Sequence, residues 1–123
     1  MIVMTEAAAE SFARSWTAAW NSHDADRIAA HYHEDVEYFS PFATRIAGDG
    51  RLCGREPVRA YFAAALERYP DLHFGPEMQV AIGAGSVALV YRSVEGLHAV
   101  ETLVLDDHGL VTRAHCHYRR DAE

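Results

Sequence analysis

The sequence predicts an α+β domain: three helices from the N-terminal half packed on a strongly curved antiparallel β-sheet, a cone-shaped fold that encloses a pocket. Three observations predict it. Apolar residues recur at helical spacing in the segments up to Tyr69. Beyond that point they recur at every second residue, the period of a strand. The later strands also follow one another across short turns, which joins antiparallel neighbours rather than βαβ units. All 123 residues, 1–123, are read as one domain, a size that buries roughly two-thirds of its unfolded surface.

The elements follow in order. Thr5 is the expected N-cap of a first helix running to Asn21, with Phe12, Trp16, Ala19 and Trp20 on its inward face. Asp24 caps a short second helix through Ala30, with Ile28 and Tyr32 inward. Val36, Tyr38 and Ser40 alternate with Glu37 and Phe39, so Val36 to Ser40 reads as a strand ending before Pro41. Phe42 to Gly54 holds three glycines and is read as a flexible loop. A third helix runs from about Glu56 to Tyr69, with Pro57 in its first turn and Pro70 as its stop. Leu72 to Val80 is a weak strand broken at Gly75-Pro76, and Val87 to Val94 is a strong one after the Gly83–Gly85 turn. His98 to Leu105 and Leu110 to Arg119 form a closing hairpin across Asp106-Asp107-His108-Gly109.

Composition sets what the domain does not suit. Half of the residues are hydrophobic, 24% are charged, and the net charge is −7. An acidic chain gains nothing from a polyanion, so neither nucleic acid nor a membrane is an expected partner. All eleven basic residues are Arg. The two cysteines, Cys53 and Cys116, have no CxxC spacing and imply neither a disulfide framework nor a zinc knuckle. No secretory leader is evident in MIVMTEAAAE, and no apolar run is long enough to span a bilayer. Together these predict a cytoplasmic protein with reduced thiols.

The hairpin register locates the expected chemistry. Pairing Leu105 with Leu110 sets Glu101 opposite Ala114 and Ala99 opposite Cys116. Alternation then puts Ala99, Glu101, Leu103, Leu105, Thr112, Ala114, Cys116 and Tyr118 on one largely apolar face, the pocket side. A carboxyl there is costly when ionised, so its pKa should rise. The opposite face carries His98, His115 and His117, with His98 across from His117, beside Val100, Val104 and Val111. Two readings stand for that face: a pH-sensitive homodimer interface, or a His cluster that holds zinc with one position open. The first is preferred, and no metal or cofactor is expected. His31 and His33 form a second HxH whose side chains need not converge. Arg51, Arg55 and Arg59 either guard a pocket mouth or are simply solvated.

Three segments carry a family resemblance: AAWNSHDADRIAAHYHEDVEYFSPF, GREPVRAYFAAALERYPDLHF and ETLVLDDHGLVTRAHCHY. The chain resembles the nuclear-transport-factor-2-like superfamily, in its branch of SnoaL-like polyketide cyclases and ketosteroid isomerases. The resemblance places Glu101 where the isomerases keep a protonated Asp that donates a hydrogen bond. It places Ser40 at the position of their proton-shuttling base, which a serine cannot be at neutral pH. Their tyrosine donor falls on Trp16. Glu101 and Ser40 are thus the candidate catalytic positions, and Glu101 the one expected to carry any proton transfer. Trp16, Tyr32, Tyr38 and Tyr61 are expected to shape the ligand site, together with Phe62, Tyr91, Cys116 and Tyr118. The implied function is small-molecule binding, with cofactor-independent isomerase, cyclase or dehydratase chemistry on a hydrophobic cyclic or polyketide-like substrate. The alternative is a non-catalytic ligand-binding or dimerisation module, and a third reading is a metal-dependent hydrolase built on the histidines.

Overall fold

The computed structural model describes residues 2–121 of the chain; residues 1, 122 and 123 of the expected domain lie outside them. Among the described residues, four helices pack on a curved, unclosed six-stranded sheet in the order β2-β1-β6-β5-β4-β3. The α+β class and the covered, curved sheet are as the sequence predicts, and the helix count is one higher.

Local chemistry sets each boundary. Helix α1 spans Glu6–Asn21, and the Thr5 hydroxyl accepts from the Ala8 N–H at 3.1 Å. Asp24 caps α2, Ala25–Ala29, by accepting from the Asp26 and Arg27 N–H groups at 3.0 and 3.2 Å. Strand β1 runs over Tyr32–Phe39, longer than the five residues that alternate cleanly, because an irregularity between Tyr32 and Glu37 hides the period. Ser40 is not its last residue. Its side chain caps a helix, α3 (Pro41–Ala47), by accepting from the Phe42 N–H at 3.2 Å. Pro41 fills the first helical position, where a missing N–H costs nothing. Gly48 ends the helix at φ +85°, a conformation that would strain any side chain. The expected loop is therefore a helix followed by strand β2, Arg51–Cys53, which pairs antiparallel with β1.

Helix α4, Arg55–Arg68, buries Val58, Tyr61, Phe62, Ala65 and Leu66 and packs against α2 and β1. The strand expected at Leu72–Val80 forms only at its end, as β3 over Gln79–Gly83. The preceding backbone has other partners. Asn21 grips Phe74 at both ends, donating to its carbonyl at 2.9 Å and accepting from its N–H at 2.7 Å, while His23 Nε2 donates to the Leu72 carbonyl at 2.7 Å. Strand β4, Ser86–Arg92, stops before a short 3₁₀ turn at Val94–Gly96. Strands β5, His98–Leu105, and β6, Val111–Arg119, complete the sheet.

Two further expectations need correction. The sheet is not wholly antiparallel, since β1 lies parallel to β6. The closing hairpin is also out of its expected register. Leu105 pairs with Val111, and a bulge then sets Leu103 opposite Ala114, Glu101 opposite Cys116 and Ala99 opposite Tyr118. The extra residue is Thr112, whose hydroxyl donates to the Val104 carbonyl at 3.3 Å. Beyond the bulge the slip is two residues, so the pocket face keeps its members. At the bulge the assignment inverts: Val111, expected on the outer face, is buried, and Thr112 is not. β5 itself alternates without fault, with Ala99, Glu101, Leu103 and Leu105 inward.

Candidate active site

Glu101 sits mid-strand on the concave face of β5 and is 2% exposed. Tyr91 on the neighbouring β4 donates its hydroxyl to Oε1 at 2.8 Å. Oε2 meets no nitrogen or oxygen donor among the described residues. The thiol of Cys116, directly across on β6, stands beside this carboxyl but donates to the Tyr38 oxygen at 3.3 Å, and a thiol is a weak donor in any case. Desolvation dominates and pushes the Glu101 pKa up to about 7, against the smaller downward pull of the Tyr91 and Cys116 contacts.

The groups around it are held neutral. Burial raises the phenols of Tyr38, Tyr91, Tyr61 and Tyr118 and the Cys116 thiol, and the nearby carboxyl adds to each. Hydrogen bonds from Ser40 to Tyr61 and Tyr118 work the other way. A cavity of about 40 Å³ lies against Glu101, with Trp20, Tyr38, Tyr61, Tyr91 and Tyr118 in its wall. Phe42 and Ile46 come from α3, and Leu72 and Phe74 from the segment gripped by Asn21 and His23. Among the described residues, Glu101 is the one charged side chain that lines it, so the carboxyl has no counter-ion there.

The partly exposed wall residues Ile46, Tyr69, Ser93, Val94 and Tyr118 mark the outer end. A charged clasp braces it: Glu95 accepts from Tyr69 at 2.5 Å and from Arg45 at 3.1 Å. The arginines considered for this role are engaged elsewhere, Arg51 with Glu37, Arg55 with the Tyr32 carbonyl and Arg59 with Glu56. A larger groove of about 670 Å³ runs between α1 and residues 75–80, but its only charged groups, Glu10 and Arg14, are exposed. It offers no placed chemistry.

Four of the expected ligand-site residues line the cavity: Tyr38, Tyr61, Tyr91 and Tyr118. Four form the layer behind it. Trp16 spends its indole N–H on the Tyr32 oxygen at 3.1 Å, Phe62 packs beneath Trp20 and Tyr38, and Cys116 bridges towards Tyr38. Ser40 is a buried helix cap that lies behind the wall, where its side chain also bonds the Tyr61 and Tyr118 phenols. Trp20, Phe42 and Phe74 line the cavity without having been singled out as ligand contacts. For Trp20 the signal was present, since it lies one turn beyond Trp16 on the same helix face.

The histidines do not gather. The register pairs His98 with Arg119, and its ring bonds Asp121. His115 lies flat on Phe39 at 4.4 Å and accepts from Arg113, and His117 Nδ1 donates to the Val100 carbonyl at 3.3 Å. His31 bonds Ser15, whereas His33 caps the Asp35 N–H. Among the described residues no three His, Cys, Asp or Glu side chains come together as a metal-binding group.

Comparison with known proteins agrees with this architecture. The SnoaL-like domain profile matches residues 13–122. A SnoaL-like protein of unknown function from Burkholderia thailandensis E264 is 42% identical, with a TM-score of 0.87 over 94% of this chain and 98% of its own. A proposed isomerase of the SnoaL-like family from Agrobacterium tumefaciens C58 is 17% identical (TM-score 0.71; 91% of this chain, 97% of that one). A proposed ketosteroid isomerase from Kribbella flavida DSM 17836 is 23% identical (TM-score 0.67; 92% and 78%), and these last two likenesses concern the fold alone. Among curated proteins no significant match was found. The profile match over nearly the whole chain, with the close relative of the same description, establishes that this protein belongs to the SnoaL-like family.

Proposed function

We propose that the protein binds a small cyclic, oxygen-bearing molecule in the Glu101 cavity and that Glu101 transfers a proton to or from it, in isomerase, cyclase or dehydratase chemistry. The observation that carries this reading is the Glu101 carboxyl itself: buried, uncompensated by any cation, with one oxygen unpartnered and a pKa of about 7. An acid poised there populates both protonation states at neutral pH, which suits general acid or base work. The aromatic wall suits a ring, and the isomerase descriptions of two fold neighbours point the same way. The cavity's size argues for a small substrate, since pockets for drug-sized molecules occupy roughly 300 to 1,000 Å³.

A suitable test is enolisation of a monocyclic ketone, followed by NMR as deuterium uptake from solvent. Exchange should titrate near pH 7 and fall by a factor of about 10² to 10⁴ in Glu101→Gln. Exchange that survives this substitution unchanged would overturn the assignment. Ketone binding without exchange would support the second reading, a non-catalytic binding module, which the use of Ser40 as a helix cap favours.

We also propose that the chain forms a homodimer through the outer face of the sheet. Val90, Val100 and Val104 on β4 and β5 are 40–42% exposed and sit on that face, with Val90 directly opposite Val100. An apolar cluster left open to water is the signature of a surface meant to be covered. Light scattering should give twice the chain mass for the wild type and a monomer for Val100→Asp; a monomeric wild type would sink the proposal. The unpaired thiols of Cys53 and Cys116 suit a reducing cytoplasm, and no helix among the described residues is long and apolar enough to cross a membrane.

A further inference from the structure

A second buried polar atom without a partner belongs to another residue of the cavity wall. The indole Nε1 of Trp20 is buried and has no hydrogen-bond partner, and Trp20 lines the same cavity as Glu101. These two side chains supply the only buried side-chain nitrogen or oxygen atoms without a partner among the described residues. A buried donor left unmade is costly, and so is a buried carboxyl oxygen. The rest of the aromatic box is satisfied or apolar: the neighbouring Trp16 indole bonds Tyr32, and the Tyr91 hydroxyl bonds Glu101.

We propose that Trp20 is the second anchor of this ligand site, donating its indole N–H to the same ligand oxygen that faces Glu101 Oε2. The donor inventory defines what can fill that position. An indole only donates. The shared group must therefore accept from Trp20, and it must either accept from a protonated Glu101 or donate to an ionised one. A hydroxyl oxygen meets either state of the acid, and a carbonyl oxygen accepts from both the indole and the protonated acid. A cationic head has no lone pair for the indole, and a carboxylate would meet the acid with no cation in the wall to hold it. The 40 Å³ volume admits an oxygen and the adjoining one or two carbons of a ring, with the remainder lying outward toward Ile46, Tyr69 and Val94. The preferred ligand is thus an uncharged monocyclic ketone, enol or phenol that enters oxygen first.

This inference rests on the cavity being the ligand site, but not on any proton transfer. Phenol and toluene are suitable probes, since they share a ring and differ in the oxygen. At pH 6 the wild type should bind phenol more tightly than toluene. Trp20→Phe keeps an aromatic ring and removes the N–H, so it should lower the preference for phenol over toluene about tenfold, whatever the smaller ring does to both. The wild-type indole resonances provide a readout that does not depend on a variant. Addition of phenol should move the Trp20 N–H downfield and leave the Trp16 N–H, already bonded to Tyr32, nearly in place. No preference for phenol, an unmoved Trp20 resonance, or equal loss of both probes in Trp20→Phe would overturn the proposal. Loss of ketone exchange in Glu101→Gln is a separate result. Phenol anchoring without exchange leaves Trp20 as an anchor and removes the catalytic reading, and exchange without anchoring does the reverse.

Discussion

Replacing Glu101 with Gln should make the protein more stable at pH 8 by about 3 kcal/mol, and should remove most of the difference from the wild type at pH 5. The sign follows from the direction of the shift. An ordinary Glu carboxyl titrates at 4.5, and burial moves this one to about 7. Between those values the native state holds a proton that the unfolded chain releases. Its contribution to stability is therefore complete below pH 4.5 and is lost as pH rises through 7. The amide of Gln keeps the shape and never ionises, so the variant escapes the loss.

Urea midpoints at pH 5 and pH 8, at one protein concentration, would measure it. The quantity to compare is the variant's advantage over the wild type at each pH, because this cancels the other titrations. His115 is one of them. Its pKa is lowered by desolvation and by Arg113 and His117, so its contribution grows with pH and opposes that of Glu101. Glu37, Glu95, Asp106 and Asp121 are held below the ordinary carboxylate range by their hydrogen bonds, and their contributions fade only in more acidic solution. An advantage that is the same at both pH values would mean that Glu101 titrates normally, and that the neutral acid in the cavity does not exist.

The fold was legible where a signal spans several periods. Trp16 and Trp20 mark one helix, the strict alternation from Ala99 to Leu105 marks a central strand, and Thr5 and Asp24 mark true caps. Helix α3 was hidden by its brevity. Seven residues give two turns, too few for a period, although Ser40, Pro41 and Gly48 carry a complete start and stop signal. The segment before β3 departs from the strand its sequence predicts because its polar backbone atoms are satisfied by Asn21 and His23 side chains distant in sequence. The bulge at Thr112 was invisible for a similar reason. Period-two reasoning has no means of placing one extra residue, and here it exchanged the inner and outer positions at 111 and 112.

At the site, alternation alone was enough to bury Glu101, and burial was enough to predict the direction of its pKa. Which aromatic residues would touch a ligand was not legible, because a helix face says only that a ring points inward. Trp16 and Trp20 share that face one turn apart, yet one indole bonds Tyr32 and the other bonds nothing. Only the placement of Tyr32 separates the two, and that is a tertiary fact.

The layer behind the cavity should carry much of the molecule's stability, and Phe62→Ala tests it. Phe62 is fully buried on α4, with its ring centre 4.9 Å from Trp20, 5.2 Å from Tyr32, 5.5 Å from Tyr38 and 5.8 Å from Tyr61. Removing a core phenyl costs about 3–5 kcal/mol, more where the neighbours cannot close the gap. Here they are pinned: Tyr32 accepts the Trp16 indole proton, Tyr38 accepts the Cys116 thiol, and Tyr38 also stands in a strand bonded on both sides. The loss should therefore fall near the upper end of that range, a large share of the roughly 5–15 kcal/mol that holds a domain together. The void would adjoin three walls of the ligand cavity, Trp20, Tyr38 and Tyr61. An apolar void of that kind takes up benzene, so benzene should raise the variant's urea midpoint and leave the wild type's nearly unchanged. A loss below about 1 kcal/mol, with no response to benzene, would show that the aromatic layer collapses freely. In that case the position of Trp20 relative to Glu101 is not fixed by packing, and the cavity takes its shape from whatever enters it.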